Sequence, residues 1–443
     1  MPCGDDKMPT KIPSGFRDFP PEMMILRKKV ISILENVFQK YGFDPIETPV
    51  LEFWDTLKGK YGEEAERMLV YKFKDPWSKE WFALRYDLTV PLARFFSARS
   101  LPLPFKRYQI GRVWRHDRPQ RGRYREIWQA DADIIGSPYP EADAEVISLT
   151  IDALSKLGFS NFYLKLNDRR VLSGIFEKNF DLDPRESLRV YRIIDKLDKI
   201  GIESVRKELL KIGLKENIVE EIMDVISISG EANELLDILH EKCDPKDKKT
   251  TEGLNHLMEI LDLLGNKRKY IRIDLSLVRG LDYYTGPIWE ATIPETSIGS
   301  VAGGGRYDSL IGIYSGHDYP ATGTSIGIDR VIDAGLLLGI FNTSIKTYTE
   351  ICVVVISRDF FSKAWELANT LRDAGFNVQI DLMRRSQQKQ REYALKKDIP
   401  VLIFIGRKEL ERKIVTIYDR RNEERKEIPL SDLINYLNRL LRG

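Results

Sequence analysis

FKRYQIGRVWRHDRPQRGRYREIWQADADIIG, running from Phe105 to Gly136, decides how this chain folds. Two segments that alternate polar with aromatic or β-branched residues flank the turn-like DRPQRG, the pattern of a β-hairpin with a longer loop. Side chains alternate across a strand. Gln109, Gly111, Val113 and Arg115 therefore share one face of the first segment, and Arg125, Ile127, Gln129, Asp131 and Asp133 one face of the second. Trp128, Ala130, Ala132 and Ile134 fall on the opposite face, apolar enough to pack against a helical layer. The front collects guanidinium, amide and carboxylate groups that suit a small zwitterion and a polyphosphate. A hairpin with one solvated face carries the same pattern, so the surrounding chain has to separate the two readings.

On the amino-terminal side, Met24, Leu26, Val30, Ile33, Leu34, Val37 and Phe38 recur at helical spacing over Pro21 to Tyr41, and Gly42 stops the helix. PIETPVLEF, Pro45 to Phe53, is extended and punctuated by proline, which suits an edge or interface strand. A hairpin pair follows at Met68 to Lys74 and Lys79 to Leu84. LRYDLTVPLARFFSAR then places Asp87 and Thr89 where a helix begins, and they read equally as helix caps or as ligand-facing groups.

On the carboxyl-terminal side come a helix over Tyr139 to Leu157, a short strand over Asn161 to Asn167, and a lysine- and glutamate-rich helical series from Arg169 to Asn266 that includes ANELLDILHEK. Sheet-like segments resume at Tyr270. Gly303, Gly304 and Gly305 let backbone approach a ligand or turn sharply, without the spacing of a P-loop or a dinucleotide fingerprint. Asp329 and Arg330 open an apolar helix, where Arg330 is placed to meet phosphates, a base or an ion-pair partner. After a polar break at Asn342 to Tyr348, strands and helices alternate to the end, the pattern of a small α/β sheet between helices. Arg384, Arg385, Lys389, Gln390, Arg391, Lys396 and Lys397 cluster there as a nucleic-acid surface or as solubilising charge.

At 443 residues, 42% hydrophobic and 31% charged, the chain is long enough for two or three globular domains. A net charge of +2 excludes a histone-like polycation, so any nucleic-acid contact is local. Cys3, Cys243 and Cys352 are too scattered for a disulfide scaffold or a thiolate metal site, and the histidines lack metal-ligand spacing. No stretch has the length of an apolar membrane span. The expectation is a soluble cytoplasmic protein with no membrane or DNA partner and no metal-ligating cluster.

These segments together resemble the histidyl-tRNA synthetases, a family of class II aminoacyl-tRNA synthetases, over nearly the whole length. Five motifs occur in the family's order: the helix from Pro21 with the strand ending at Pro49, the opening hairpin with RVWRHDRPQRGRYRE, GTSIGIDRVI, and the family-specific LVRGLDYYTG and AGGGRYD. The resemblance implies an α+β fold. Residues 1–168 and 267–341 would form a class II antiparallel sheet flanked by helices, 169–266 a helical insertion reaching toward the tRNA acceptor region, and 348–443 an α/β anticodon-binding domain. It implies a homodimer joined through the first motif. The implied reaction converts L-histidine and ATP, with Mg²⁺, to histidyl-adenylate and pyrophosphate, and then transfers histidine to the 3′ end of tRNA(His).

The resemblance also assigns residues. Asp87, Thr89 and Gln129 are expected around the α-amino and carboxyl groups of histidine with Asp133 assisting; Asp87 and Asp133 stand where many relatives carry the longer Glu. Tyr283 and Tyr284 would shape the imidazole pocket. Arg115 and Arg279 would form the catalytic pair on the α-phosphate and substrate carboxylate. Arg123 would bind ATP phosphates and Arg330 the base or distal phosphates, with Gly303, Gly304 and Gly305 beside the nucleotide. Arg118 and Gln120 in the hairpin turn, and Lys389 and Arg391 in the final domain, are candidates for tRNA contact. Two alternatives stay open: a synthetase-like regulatory subunit of ATP phosphoribosyltransferase, and a non-catalytic RNA-binding protein. Arg115, Arg279, Arg330, the three glycines and the complete final domain weigh against the first.

Overall fold

In the computed structural model, residues 10–61, 66, 68–120, 122–180, 182–231, 246–278 and 283–442 are described. They fall into two units, Met1–Asp18 with Arg27–Phe341 and Phe19–Leu26 with Asn342–Gly443. The strands of the first unit are β1 (Asp44–Pro45), β2 (Leu51–Phe53), β3 (Lys72–Lys74), β4 (Trp81–Leu84), β5 (Phe105–Trp114), β6 (Glu126–Ile135), β7 (Tyr163–Asp168), β8 (Ser229–Glu231), β9 (Ile271–Asp274), β10 (Pro287–Thr292), β11 (Ala302–Arg306) and β12 (Ala321–Gly327).

The opening hairpin is present as read: β5 and β6 pair antiparallel along their full ten residues. They sit inside a nine-stranded sheet of order β1-β5-β6-β12-β11-β10-β7-β9-β8. The expected antiparallel sheet is mixed, because β1 runs parallel to β5 and β9 parallel to β7. Parallel neighbours need a long crossover, and these two pairs are separated by the small sheet β2-β4-β3 and by the helical region after β7.

Apolar residues on the back of the sheet are covered by helices. Helix Pro140–Lys156 buries Val146, Ile147, Leu149 and Ile151, and its Thr150 hydroxyl lies 3.0 Å from that of Thr324 on β12. Helix Lys248–Leu264 reaches the same layer through His256, whose Nε2 is 2.7 Å from Asp143 Oδ2. At the other end, helix Thr89–Ser97 and the small sheet enclose Leu57, Tyr61, Val90, Leu92 and Phe96 with Tyr307 and Ile311. After β7 the charged series folds as amphipathic helices, among them Ile202–Lys211 and Glu216–Ile226, which bury Val205, Leu209, Val219 and Ile222. ANELLDILHEK lies outside the described residues.

The second unit holds β13 (Ile351–Val355), β14 (Val378–Ile380), β15 (Val401–Ile405), β16 (Ile414–Asp419) and β17 (Glu424–Pro429), in order β14-β13-β15-β16-β17. The first three are parallel. Every residue of β13 and β15 is buried, which explains their unbroken apolar runs. Helices Phe361–Asp373 and Leu433–Arg442 share one core with the sheet, and helix Gln387–Lys396 contributes Ala394 to a second. Among the described residues, no helix is long and apolar enough to cross a membrane.

Candidate active site

Register builds the floor of the site. Two rows cross the front of the sheet, Arg107–Asp133–Gly323–Gly305 and Gln109–Asp131–Ser325–Gly303, each running from β5 through β6 and β12 to β11. Glycine keeps the first row clear: a Cβ at Gly323 would stand 1.9 Å from Asp133 Oδ1, and one at Gly305 2.9 Å from the Tyr284 ring. Gly303 differs. A Cβ there would meet nothing nearer than the Trp289 carbonyl oxygen at 3.5 Å, so no protein neighbour demands glycine and space remains beside Ser325. Gly304 faces the back, where a Cβ would lie 2.2 Å from Gly323 O and 2.7 Å from the Trp289 ring. The three glycines are thus the interior of an extended strand, and the sharp turn considered for them does not occur.

Carboxylates and tyrosines gather on this floor. Asp133 is buried with Arg107 Nη2 at 2.7 Å from Oδ2, while the Tyr307 hydroxyl donates to Oδ1 at 2.5 Å. Gln129 Nε2 donates to Ser325 Oγ at 2.6 Å, and Ser325 stands opposite Asp131 across the β6–β12 ladder. Gln129 Oε1 and Asp131 Oδ1 are buried with no hydrogen-bond partner among the described residues. Asp87 ends the loop before helix Thr89–Ser97. Its Oδ1 accepts from Val90 N–H at 3.1 Å and from the Tyr61 hydroxyl at 3.0 Å; its Oδ2 faces the Tyr283 hydroxyl at 3.4 Å. It therefore holds the first turn of the helix through Val90 N–H and also belongs to the polar cluster.

Burial disfavours the charged form of an acid, and it is the leading cause at all three carboxylates. It raises Asp87 despite Val90 N–H and Arg115, and Asp133 despite Arg107 and Tyr307. Asp131 is pushed up to about 7 by burial, with Asp133 and Asp87 adding to the effect against Arg107 and Ser325. Burial and the same carboxylates raise Tyr283, Tyr284 and Tyr307, so these phenols stay neutral donors.

Arginines occupy the hairpin end. Arg115 continues the ladder past β5, its N–H donating to Arg125 O at 2.9 Å. Its Nε donates to Tyr86 O at 3.1 Å and its guanidinium lies over the Tyr86 ring at 4.6 Å. Burial opposes its charge, but Tyr86, Asp87 and Asp117 outweigh that and hold its pKa above the ordinary value. Arg123 pairs with Asp117 at 2.8 Å, beside the Gln120–Arg123 bridge that closes the turn.

The sequence pattern of the family described as Histidyl-tRNA synthetase matches residues 15–331, and that described as Anticodon binding domain matches residues 350–440. The chain belongs to the histidyl-tRNA synthetase family. It is 54% identical to the histidine–tRNA ligase of Aeropyrum pernix, over 97% of this chain and 98% of that one. Against the histidine–tRNA ligase of Korarchaeum cryptofilum it is 53% identical, over 97% and 99%. The crystal structure of histidyl-tRNA synthetase from Nostoc sp. PCC 7120 matches with a TM-score of 0.84 at 29% identity, covering 98% of this chain and 100% of that one.

Of the residues singled out by likeness to histidyl-tRNA synthetases, the structure gathers Asp87, Thr89, Gln129, Asp133, Tyr283 and Tyr284 around one sheet face, with Arg115 beside Asp87. Arg330 is tied to backbone: its Nε donates to Gly122 O at 3.0 Å and its Nη1 to Ser300 O at 2.6 Å, so it also braces the hairpin turn. Arg118 and Gln120 are exposed in that turn. Arg279 lies outside the described residues. In the second unit, Lys389 and Arg391 are exposed on helix Gln387–Lys396, but two other residues of that cluster are tied to neighbouring groups. Gln390 is buried and bonded to both backbone groups of Val355, because helical spacing turns it inward, and Arg385 is held by Asp381 at 2.5 Å.

Sequence reasoning gave no role to Arg107, Tyr61, Tyr307 or Asp131. Parity signalled Asp131 and, two residues before Gln109, Arg107; Tyr307 lies within AGGGRYD. Tyr61 carried no signal, since its contact with Asp87 is made by folding of the small sheet.

Proposed function

We infer that the chain is a histidine–tRNA ligase, activating L-histidine with ATP and passing it to the 3′ end of tRNA(His). The observation that carries this reading is the division of one sheet face, with buried carboxylates and phenols at one end and Arg115 and the hairpin-turn arginines at the other. Acceptors suit an ammonium and an imidazole N–H; guanidinium groups suit a carboxylate and phosphates.

In the first step the histidine carboxylate attacks the α-phosphorus of ATP, and the bond to pyrophosphate breaks. A carboxylate is ionised at neutral pH, so no general base is required. Arg115 and Arg279 are assigned to the α-phosphate and the substrate carboxylate, where preorganised donors meet growing charge; loss of one such donor costs about 3–4 kcal/mol. Asp87, Thr89, Gln129 and Asp133 hold the amino acid, and Tyr283 and Tyr284 line its side chain. Arg123, Arg330 and the Gly303 to Gly305 strand serve the nucleotide. In the second step the terminal ribose hydroxyl attacks the acyl carbon and AMP leaves. Arg118 and Gln120 are assigned to the acceptor end, and Lys389 and Arg391 to the anticodon side, where single-stranded bases are read by stacking and edge contacts.

Among the described residues, no group of three or more His, Cys, Asp or Glu side chains forms a metal cage. Mg²⁺ is typically held by one or two carboxylates with substrate phosphates, and bound with ATP it would supply charge neutralisation at those phosphates. A cytoplasmic homodimer completes the proposal, supported by exposed Leu51, Phe53, Trp77 and Trp81 around the small sheet. The test is amino-acid-dependent ATP–pyrophosphate exchange across the twenty amino acids. Exchange with histidine alone is expected; its absence in well-folded protein overturns the reading.

A further inference from the structure

Two arginines follow strand β7, and they are engaged differently. Arg170 pairs with the carboxylate of Asp168, its Nη2 at 2.7 Å from Oδ2 and its Nε at 3.0 Å from Oδ1. Arg169 turns to the main chain instead: its Nη1 donates to Val278 O at 2.8 Å, and its backbone N–H donates to Gly286 O at 3.0 Å. That N–H is available because Arg169 opens helix Arg169–Ser173, and the first amides of a helix have no partner within it. β7 and β10 pair as far as Asp168 and Pro287, so the bond to Gly286 carries their ladder one step further.

The two carbonyls bracket residues 279–285 of LVRGLDYYTG, which include Arg279, Tyr283 and Tyr284. One side chain and its own amide therefore hold both ends of the segment that supplies these groups. Neighbouring residues complete the clamp. Asn167 is fully buried; its Nδ2 donates to Leu277 O at 3.0 Å while its Oδ1 accepts from Asp168 N–H at 2.8 Å, which fixes the orientation of the amide. On the β11 side, Thr285 N–H donates to Arg306 O at 2.8 Å. Tyr191 of helix Pro184–Ile194 lies against the Arg169 guanidinium, its ring centroid at 5.4 Å, so the helical region backs the clamp.

Val278 is buried, so losing its donor is costly and favours a shift of the backbone that leads into Arg279. We propose that Arg169 is a positioning residue for adenylate formation, acting through the segment from Val278 to Gly286 to hold Arg279, Tyr283 and Tyr284 against the substrates. Its part is indirect. A displacement of about 1 Å in a catalytic group costs about 100-fold in rate, and the anchors of such a group are what Arg169 fixes.

The inference rests on the histidine–tRNA ligase reading, and the experiment keeps the two apart. Arg169→Met keeps the side-chain stem and removes the donor, whereas Arg169→Lys keeps a donor. The burst of adenylate at saturating histidine and ATP, without tRNA, gives a rate and an amplitude per protein molecule; a misfolded fraction lowers the amplitude, and a misplaced segment lowers the rate. Arg169→Met should slow the rate about 10- to 100-fold with the amplitude and the KM for ATP close to those of the parent. Arg169→Lys should recover most of that loss, since a single bond to one carbonyl does not need the guanidinium fork. A methionine variant within about twofold of the parent rate, a loss confined to amplitude, or a lysine variant as slow as the methionine one overturns the proposal. Should Arg169→Met not fold, Arg169→Gln takes its place, with a polar side chain too short for the Val278 carbonyl, and the same outcomes decide. A parent without a histidine-dependent burst sinks the ligase reading instead.

Discussion

A methyl group added at Gly303 separates ligand space from packing. The added carbon would have the Trp289 carbonyl oxygen at 3.5 Å and Glu290 Cγ at 3.7 Å, ordinary van der Waals distances. Alanine at a compatible backbone position stabilises by about 0.4–1 kcal/mol through the unfolded chain. For a unit of this size that shifts Tm upward by no more than a few degrees. Gly304→Ala, one residue on, drives its methyl into Gly323 O at 2.2 Å and the Trp289 ring at 2.7 Å. Neither is the free end of a flexible chain, so the overpacking cost is about 1–3 kcal/mol or more. Melting curves and pyrophosphate exchange run in parallel on the two variants should diverge. Gly304→Ala should melt lower. Gly303→Ala should melt with the parent yet show a KM for ATP raised about tenfold or more, equivalent to about 1.4 kcal/mol of lost binding. Normal exchange in Gly303→Ala would remove that residue from the site, and a depressed Tm would show that its role is packing.

Arg279→Ala should abolish adenylate formation while melting and tRNA binding survive; near-normal exchange would refute its assigned role. Asp143 is buried between His256 at 2.7 Å and Arg306 Nη2 at 2.6 Å. Burial alone would raise its pKa, but His256 and Arg306 outweigh that and hold it below the usual value. Its stabilisation is thus complete above the unfolded pKa of about 4 and is lost as pH falls through the depressed folded value. Asp143→Asn should cost about 3–5 kcal/mol and flatten the parent's acid loss of Tm, read by calorimetry from pH 3 to 7. Replacing Lys389 and Arg391 together by alanine should leave exchange unchanged and reduce the salt slope of tRNA affinity by about 1.4, for two single-strand phosphate contacts at about 0.7 each.

Short-range pattern was legible because it is enforced locally. Alternation in β5 and β6 had to match a sheet buried on its back, so parity placed Gln129 and Asp133 on the front with Asp131 between them. Unbroken apolar runs at β13 and β15 announced strands covered on both faces. Long-range register was not legible. Nothing within the hairpin states that β12 pairs beside β6 or that Ser325 faces Asp131, because those contacts join segments nearly two hundred residues apart. The basic cluster of the second unit was read as one surface, whereas helical phase buries Gln390 and Asp381 captures Arg385. Arg330 was open between ligand and ion pair, and its bonds to the Gly122 and Ser300 carbonyls depended on where the hairpin turn came to rest.

The electrostatics of the front face explain why so many acids persist there. Asp87, Asp131 and Asp133 all have raised pKa values, with burial the leading cause, so the nearby arginines under-compensate them. A carboxylate raised in the folded state binds more protons than in the unfolded chain between the two values. Folding stability from such a group therefore falls as pH rises through that window, for Asp131 from about 4 to about 7. At neutral pH the site is a net liability to the fold, a pattern expected where a ligand supplies the missing charge and donors. A histidine zwitterion does both, its ammonium meeting the surplus carboxylate charge and its carboxylate meeting Arg115. The same surplus repels an anionic side chain, so the electrostatic cost of this floor to the fold and its rejection of acidic amino acids arise from one arrangement.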